Sequence, residues 1–332
     1  MRALVLEAQD QPLVVREVPT PEPGPGQARV RLKAAALNHR DVFILRGQYA
    51  AIRHPAILGS DGVGVVESTG PGTVVPVGLR VVVQPSLDWG DDLRFQGSRY
   101  RILGMPDDGT FAEAIVLPEG NLVAAPAHLD DASAGALPLA WLTAWRALVT
   151  RATLRPGERV LVTGIGGGVA QAALLLATAY GARVWVTSGD DAKIARAVEL
   201  GACGGARYDQ PDWGGRLVRE AGGPFDVIVD GAGGEGFGQL VRALGMGGRL
   251  AFYGGTDGRW PALLPQFLFF KQVSLLATTM GSPVEFAHMV AFVAEHQLRP
   301  VVDRVFPLAE GAAAFARLES GAQFGKVVLD LT

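Results

Sequence analysis

The chain has 332 residues, about twice the roughly 150 residues of a typical domain, so we expect two domains. Hydrophobic residues make up 48% and charged residues 19%, which favours a sizeable core and argues against disorder. Lysine and arginine total 30 against 33 acidic residues, and no block of like charge occurs. The composition therefore argues against nucleic acid or an anionic membrane surface as the main partner.

The sequence contains no signal for export or for membrane insertion. The N-terminal segment reaches Glu7 too early to contain the apolar core of a signal peptide. The most apolar stretches are interrupted before they reach the roughly 18 residues of a membrane span. We therefore expect a cytoplasmic protein. Cys203 is the only cysteine, which excludes intramolecular disulfide bonds and a four-cysteine zinc site.

Residues 1–130 have the pattern of short strands separated by glycine and proline. Residues 28–34 alternate between apolar and polar side chains, as a half-buried strand does, and residues 63–67 and 80–83 are similar. This region predicts an antiparallel sheet or barrel. The polar, irregular segment 87–105 predicts a lobe or a long loop.

Strands and helices begin to alternate near residue 131. Asp130 and Asp131 can cap a helix over residues 134–148, with a kink at Pro138. Apolar strands separated by helices follow at residues 159–163, 183–187, 225–230 and 249–253. Apolar strands that alternate with helices are typical of a doubly wound parallel sheet covered on both faces.

The last part of the chain, residues 301–331, returns to short strands that we expect to rejoin the first domain. We therefore predict an α/β protein with one domain inserted into another. The outer domain comprises residues 1–130 completed by residues 296–332. The inserted domain comprises residues 131–295.

A glycine cluster lies between the strand at 159–163 and the helix that follows it. Gly164, Gly167 and Ala170 form a G-x-x-G-x-x-A pattern, in which glycines let the backbone approach a pyrophosphate at a helix N-terminus. The alternative is a glycine-rich turn in another kind of α/β protein. The predicted pyrophosphate-binding residues are Gly164, Gly166, Gly167, Gly168 and Val169.

The end of the next strand indicates which dinucleotide binds. Sites for NAD usually place a carboxylate there to bind the ribose 2′-hydroxyl, but this strand ends in Ser188. Asp190 and Asp191 fall in the following turn, and Lys193 lies one helical turn further on. A hydroxyl and an ammonium suit the 2′-phosphate of NADP(H), unless Lys193 is only a solvated surface residue.

Several segments, in the same order along the chain, resemble the zinc-independent, quinone-reductase-like branch of the medium-chain dehydrogenase/reductases. The resemblance covers nearly the whole chain and implies a GroES-like β-barrel catalytic domain with a Rossmann domain. The segments are Asn38-His39-Arg40-Asp41, Arg46-Gly47-Gln48-Tyr49, residues 55–66, residues 108–113, residues 137–144 and Gly325-Lys326-Val327-Val328.

The resemblance implies a cofactor pocket and a mode of assembly. Gly189, Lys193 and Tyr208 have the spacing with which this branch surrounds the 2′-phosphate, which again favours NADP(H). Further cofactor contacts are implied at Thr143, Gly254 and Gly255. Members commonly form homodimers through a sheet edge, for which the segment 272–278 is the candidate strand.

The resemblance also locates where zinc-dependent relatives bind their metal. The three ligand positions are occupied here by Asn38, Ser60 and Leu139. A catalytic zinc needs three thiolate, imidazole or carboxylate ligands, and these three side chains supply none. We therefore predict no metal.

Without a metal, hydride transfer must rely on hydrogen-bond donors, on water or on an intrinsically electrophilic substrate to accommodate the developing negative charge. Asn38 is the best donor candidate, and Asp41 and Tyr49 complete the predicted catalytic set. Asp41 is as readily a residue that orients its neighbours, and Tyr49 as readily a packing residue. Phe43 stands where relatives often carry a tyrosine.

These features predict an NADPH-dependent oxidoreductase that transfers hydride to small quinones, enones or related carbonyl compounds without zinc. One alternative is a zinc-free alcohol dehydrogenase. Another is an NADPH-binding sensor or structural protein with little catalysis.

Overall fold

The computed structural model describes residues 1–332 and separates them into two units along the chain. The first unit comprises residues 1–142 and 281–332, and the second comprises residues 143–280. The predicted limits at residues 130 and 296 both lie inside the first unit. One reason is that the helix beginning at Asp131 packs on strands of the first unit.

Eighteen strands form the sheets of the two units: β1 (Arg2–Leu6), β2 (Val14–Glu17), β3 (Gln27–Ala36), β4 (Ala56–Ile57), β5 (Asp61–Thr69), β6 (Arg80–Val83), β7 (Ser86–Leu87), β8 (Arg101–Ile102), β9 (Ala114–Pro118), β10 (Leu122–Ala124), β11 (Arg159–Val162), β12 (Arg183–Ser188), β13 (Gly204–Arg207), β14 (Phe225–Asp230), β15 (Leu244–Phe252), β16 (Ser274–Ala277), β17 (Val302–Pro307) and β18 (Lys326–Asp330). None of the helices is both long and apolar enough to span a membrane.

Ten α-helices connect these strands: α1 (His39–Leu45), α2 (Asp131–Gly135), α3 (Pro138–Trp145), α4 (Gly168–Ala179), α5 (Asp191–Glu199), α6 (Trp213–Glu220), α7 (Phe237–Ala243), α8 (Pro265–Phe269), α9 (Pro283–Glu295) and α10 (Gly311–Glu319). Two 3-10 turns occur at Glu119–Asn121 and Leu308–Glu310, and a π-helical segment follows α3 at Arg146–Arg151.

The first unit is built around a seven-stranded sheet in the order β10-β6-β5-β3-β18-β17, with β9 paired to β3. Strand β3 alternates buried and less buried residues, as its period-two pattern predicts, and pairs antiparallel with β5, β9 and β18. The buried face packs in a core with strand β1, helix α10 and the aromatic ring of Phe111. The C-terminal strands β17 and β18 join this sheet, as expected.

The second unit contains a six-stranded parallel sheet in the order β13-β12-β11-β14-β15-β16. This is the 3-2-1-4-5-6 order of a Rossmann fold, in which the chain reverses direction across the sheet between the first and fourth strands. Ligands of such sheets bind at the carboxyl ends of the strands near that reversal, which here are the ends of β11 and β14.

Three elements differ from the sequence expectation. The single helix predicted over residues 134–148 is two helices, because Pro138 cannot continue a helix and instead begins α3. Strand β13 was not predicted, because Gly204 and Gly205 favour a turn, although β12 pairs with them. Helix α10 lies within the C-terminal region where only strands were expected.

Candidate cofactor and active sites

The glycine turn after β11 leaves open space beside its backbone. Gly164 has φ of +65°, and a side chain there would be strained even though nothing lies within 4 Å of a Cβ. Gly167 is the N-cap of α4, and a Cβ there would meet only the Gly164 carbonyl oxygen, at 3.6 Å. The first N–H groups of a helix have no partner within it, so this turn can bind an anion such as pyrophosphate.

The carboxyl ends of β11 and β14 are joined by a buried hydrogen bond. The Thr163 hydroxyl donates to Asp230 Oδ1 at 2.6 Å, and the Gly233 N–H donates to Asp230 Oδ2 at 2.9 Å. Burial raises the pKa of Asp230, and these hydrogen bonds oppose that rise. The pair fixes the two strand ends beside the glycine turn. The sequence analysis missed both residues, although each one ends an apolar strand.

Of the other predicted cofactor residues of the second unit, Thr143 lies in helix α3, and Gly254 and Gly255 follow strand β15. Thr143 is buried, and its hydroxyl lies 3.8 Å from the Met280 sulfur. Gly254 follows β15, and a Cβ there would lie 2.8 Å from the Gly231 carbonyl oxygen, so the two backbones need this glycine. Gly255 has open space beside it, with the nearest atom at 3.8 Å from a Cβ.

The pocket predicted for the 2′-phosphate is assembled at the ends of β12 and β13. Ser188 is buried, and its carbonyl accepts a hydrogen bond from the Tyr208 N–H at 3.2 Å. A Cβ at Gly189 would lie 2.8 Å from the Tyr208 hydroxyl, so the glycine allows the tyrosine to approach. Lys193 lies half-buried on the first turn of α5. Ser188, Gly189 and Tyr208 thus lie close together, and their binding of a phosphate stays a prediction.

The three carboxylates near this pocket, those of Asp190, Asp191 and Asp209, already have partners. Asp190 caps α5 by accepting the Ala192 N–H at 2.8 Å. Asp191 pairs with Arg207 at 3.4 Å, and Arg207 also binds Asp209. Arg207, which the sequence analysis missed, is paired with Ser188 across the two strands, and its guanidinium is shared between Asp191 and Asp209. Its only signal in the sequence was its place directly before Tyr208.

In the first unit, Asn38 belongs to a buried polar cluster. Its amide Nδ2 donates to Asp61 Oδ2 at 2.9 Å, and its Oδ1 accepts from Lys326 Nζ at 2.6 Å. Lys326 also binds Asp61 Oδ2 at 2.9 Å and the Leu37 carbonyl at 2.7 Å. The Leu139 N–H donates to Asp61 Oδ1 at 2.7 Å. Asn38 is thereby held by a buried ion pair between residues far apart in sequence.

Asp41 is fully buried and acts on the backbone of Asn38. Its Oδ2 accepts the Asn38 N–H at 2.8 Å, while its Oδ1 is buried without a partner. Burial raises the pKa of Asp41 to about 6, although the nearby Arg40 charge and the hydrogen bond from Asn38 lower it. Asp41 was considered either as a catalytic residue or as a residue that orients its neighbours, and this arrangement favours the orienting role.

Tyr49 contacts Arg40, which directly precedes Asp41 in helix α1. Arg40 Nε lies 3.3 Å from the Tyr49 hydroxyl, and the guanidinium lies 4.8 Å from the centre of the tyrosine ring. Arg40 Nη1 donates to the Ser60 hydroxyl at 2.7 Å and to the Leu103 carbonyl at 2.8 Å. The sequence analysis missed Arg40, although it lies inside the segment that carries the resemblance.

Comparison with known proteins identifies the family. The "Alcohol dehydrogenase GroES-like domain" model matches residues 24–127, and the "Zinc-binding dehydrogenase" model matches residues 200–329. A zinc-type alcohol dehydrogenase-like protein, YogA, of Leptosphaeria maculans is 36% identical over 96% of this chain and 95% of its own length. The chain belongs to the medium-chain dehydrogenase/reductase superfamily.

Two further relatives indicate the range of this superfamily. The acryloyl-coenzyme A reductase of Metallosphaera sedula is 30% identical over 99% of both chains. The crystal structure of an NAD-dependent alcohol dehydrogenase is 42% identical over 99% of both chains, with a TM-score of 0.94. The predicted superfamily, the predicted fold and the prediction of an oxidoreductase that uses a nicotinamide cofactor are confirmed. The zinc-independent branch and the choice of NADP(H) stay predictions.

Some members of this superfamily bind zinc, so the residues at the three metal-ligand positions show whether this chain offers suitable ligands. Asn38, Ser60 and Leu139 present an amide, a hydroxyl and an isobutyl group, and the Asn38 oxygen already contacts the Lys326 ammonium. An ammonium 2.6 Å from a would-be ligand opposes a second cation. No group of three or more histidine, cysteine, aspartate or glutamate residues could hold a metal ion. The residues present do not fit a catalytic zinc.

Proposed function

We propose that this protein is an NADPH-dependent reductase that transfers hydride to quinones, enones or related small carbonyl compounds without zinc. The single observation that carries the proposal is the Asn38, Asp61 and Lys326 cluster, which puts a protein cation against a position where zinc-dependent relatives have a metal ligand. A conjugated acceptor needs less activation than a simple ketone, so it suits a site that relies on hydrogen-bond donors.

The choice of NADPH is supported by the groups at the ends of β12 and β13. Ser188, Lys193 and Tyr208 offer hydroxyl and ammonium donors, and no carboxylate ends the strand. Asp190 is engaged as a helix cap and Asp191 pairs with Arg207, which reduces their repulsion of a phosphate. The similarity to an NAD-dependent alcohol dehydrogenase makes NADH the competing cofactor.

Different residues of the chain would bind the cofactor and contact the substrate. When bound, the nicotinamide supplies or accepts the hydride. The glycine turn from Gly164 to Gly168 would hold the pyrophosphate, with Val169, Thr143, Gly254 and Gly255 as further cofactor contacts. Asn38, kept in one orientation by Asp61 and Lys326, would donate its second amide hydrogen toward substrate oxygen. Asp41 would fix the backbone of Asn38, and Tyr49 would add a hydroxyl.

We also propose that the protein forms a homodimer and that it is located in the cytoplasm. Strand β16 is the edge of the parallel sheet, and Leu264, Phe269 and Phe270 nearby are 60%, 57% and 70% exposed. An unpaired strand edge beside exposed apolar side chains favours pairing with a second copy of the chain. Light scattering on the purified protein should give the mass of two chains.

The deciding experiment is a cofactor-oxidation screen with NADPH and NADH against quinones, enones, aldehydes and ketones, together with an alcohol panel in the reverse direction. We expect the highest kcat/KM with NADPH and a conjugated acceptor, no stoichiometric zinc by elemental analysis, and no loss of activity with a chelator. Faster turnover of simple alcohols and ketones would favour a zinc-free alcohol dehydrogenase, the second candidate, which the NAD-dependent relative supports. Cofactor binding without any turnover would contradict both.

A further inference from the structure

Asp230 is a buried carboxylate that binds both the neighbouring strand end and its own loop. Its side chain is 1% exposed. Besides the Thr163 hydroxyl and the Gly233 N–H, it accepts the Ala232 N–H at 3.4 Å. Buried backbone N–H groups need partners, and hydrogen bonds to a carboxylate are stronger than those to a neutral acceptor. Asp230 therefore fixes the end of β11 and the first turn of the loop that follows β14.

The loop after β14, residues 231–234, is joined in turn to the loop after β15, residues 253–258. The Asp257 N–H of the second loop donates to the Ala232 carbonyl of the first at 2.8 Å. Gly254 brings the two backbones close together, because a Cβ there would meet the first loop. Asp230 thus holds the first loop directly and the second loop through the first.

These two loops and the pocket predicted for the 2′-phosphate lie on opposite sides of the glycine turn. The turn follows β11, the pocket lies at the ends of β12 and β13, and the loops follow β14 and β15. A dinucleotide binds across the crevice of such a sheet, with one mononucleotide on each side of the reversal. A cofactor whose adenosine half occupies the phosphate pocket therefore has its nicotinamide half on the side of the two loops.

We propose that Asp230 is a positioning residue for the nicotinamide half of the cofactor, and that it acts through the two loops and not by contact with the cofactor. This inference rests on the proposed function and adds to it a residue that determines cofactor binding. Thr163 has the same role, because its hydroxyl donates to the Asp230 carboxylate at 2.6 Å.

The role of Asp230 requires an ionised carboxylate, because a protonated carboxyl group has less capacity to accept hydrogen bonds. Burial raises the pKa of Asp230, its three hydrogen bonds lower it, and the charge of Asp257 raises it further. Tyr253 also interacts with Asp230, and burial together with the Asp230 charge raises the pKa of its hydroxyl, which stays neutral. As the pH falls through the raised pKa of Asp230, the loops should therefore lose part of their support.

Calorimetry on the full chain tests the proposal with a whole cofactor and with its adenosine half. NADPH and 2′,5′-ADP form one pair of probes, and NADH and AMP form the other. The variants are D230N, T163V and T163S. The control is D226N, at the opposite end of β14, where the carboxylate likewise accepts a backbone N–H from β11, that of Arg159 at 2.8 Å.

We expect D230N to weaken NADPH binding about tenfold, as loss of a hydrogen bond to a charged group does, and to leave 2′,5′-ADP binding unchanged. T163V should weaken NADPH binding about threefold, as loss of a single hydrogen bond does, whereas T163S keeps the hydroxyl and should match the parent. D226N should match the parent with both probes. The advantage of the parent over D230N in NADPH affinity should disappear at acidic pH, because Asp230 is then protonated.

Equal weakening of NADPH and 2′,5′-ADP binding in D230N would indicate a general structural role and would overturn the inference. NADPH binding by D230N at the parental level, or an advantage of the parent that does not change with pH, would also overturn it. If D230N does not fold, equal NADPH binding by T163V and T163S is the contrary result. A parent that binds NADH and not NADPH contradicts the proposed function, and the same comparison of NADH with AMP then decides the role of Asp230.

Discussion

The predicted cofactor site of the second unit is built mainly from main-chain groups, whereas the polar cluster of the first unit is built from side chains. Gly164 and Gly167 leave open space beside a helix N-terminus, and no side chain of the protein fills it. Asn38, Asp61 and Lys326 instead hold one another in place through buried hydrogen bonds. The first region leaves open space beside its backbone, whereas the second orients its side chains through contacts within the protein.

This difference determines how each region should respond to substitution. A side chain added at the glycine turn meets the ligand and not the protein, so the fold should tolerate it. A side chain removed from the buried cluster leaves a charge without its partner, so stability itself should fall. The variants below test this contrast in order of expected effect.

Lys326→Met should produce the largest effect, on stability. Lys326 is 5% exposed, and it is the cationic partner of fully buried Asp61. Removing one partner of a buried ion pair costs about 3–5 kcal/mol because the other charge stays buried. Urea unfolding should show this loss. A double variant with Asp61→Asn should recover part of it.

The matched control for that variant is Arg16→Met, which breaks the exposed ion pair with Glu7. Exposed pairs contribute little, so this change should leave the unfolding midpoint nearly unaltered. A Lys326→Met variant as stable as Arg16→Met would show that the buried cluster does not depend on its charges.

Gly167→Val should remove cofactor binding and keep the fold. Gly167 has φ of −85°, which valine adopts, and its Cβ would meet only the Gly164 oxygen, at 3.6 Å. The added methyl groups would occupy the space of the pyrophosphate, so we expect the NADPH dissociation constant to rise by about a hundredfold or more. Fluorescence titration measures this constant.

Gly120→Val serves as the control for the glycine turn. A Cβ at Gly120 meets nothing within 4 Å, and the residue lies in a surface turn of the first unit. Its NADPH affinity should equal that of the parent. Parental NADPH affinity in Gly167→Val would place the phosphates elsewhere.

The same contrast explains what the sequence could predict. The glycine turn and the strands around it are local patterns, so the parallel sheet with its helices and the place of Gly164 and Gly167 between strand and helix followed from the sequence pattern, whereas the Rossmann fold was implied by the resemblance. The partners of Asn38 did not follow, because Asp61 and Lys326 are brought to it by pairing of β3 with β5 and β18. Strand β13 was missed for a related reason: its glycines favour a turn locally, and only pairing with β12 makes it a strand.

Asp41→Asn should change how stability depends on pH. Burial raises the pKa of Asp41 from 3.8 to about 6 in the folded protein. Because the folded value lies above the unfolded one, the stability that this group contributes is complete below about pH 4 and is lost as the pH rises through about 6. Asparagine does not titrate. As the pH rises from 4 to 7.5, the free energy of unfolding of the variant should therefore increase by about 2–3 kcal/mol relative to that of the parent.

Asp303→Asn provides a control with the opposite sign. Burial works to raise the pKa of Asp303, but its bonds to Arg317 and to the Phe324 N–H outweigh this and lower it. The stability from Asp303 is therefore present above the unfolded pKa and lost as the pH falls through the folded value. The stability of Asp303→Asn should therefore fall furthest below that of the parent near neutral pH. Parallel pH profiles for the parent and Asp41→Asn would contradict the assignment of Asp41.

The smallest expected effect concerns the choice between NADPH and NADH. This choice depends on side chains beside a predicted site that is built mainly from main-chain groups. Lys193 is half-buried on the first turn of α5, so solvent reduces its attraction for the 2′-phosphate below the about 1.5–3 kcal/mol of a shielded charged hydrogen bond. We expect Lys193→Ala to weaken NADPH binding about tenfold, close to 1.4 kcal/mol, and to leave NADH binding unchanged. Lys33→Ala, in the first unit, should change neither.

Ser188→Asp should go further, because a carboxylate at the end of β12 repels the phosphate and accepts the ribose hydroxyls of NADH. Titration of both cofactors against the parent and these variants, at low and high salt, measures the preference, which should shrink as salt rises. Equal affinity of the parent for NADH and NADPH, with no response to Lys193→Ala, would mean that the pocket of Ser188, Gly189 and Tyr208 does not recognise the phosphate. Arg207 could not rescue that assignment, because its guanidinium is already shared between Asp191 and Asp209.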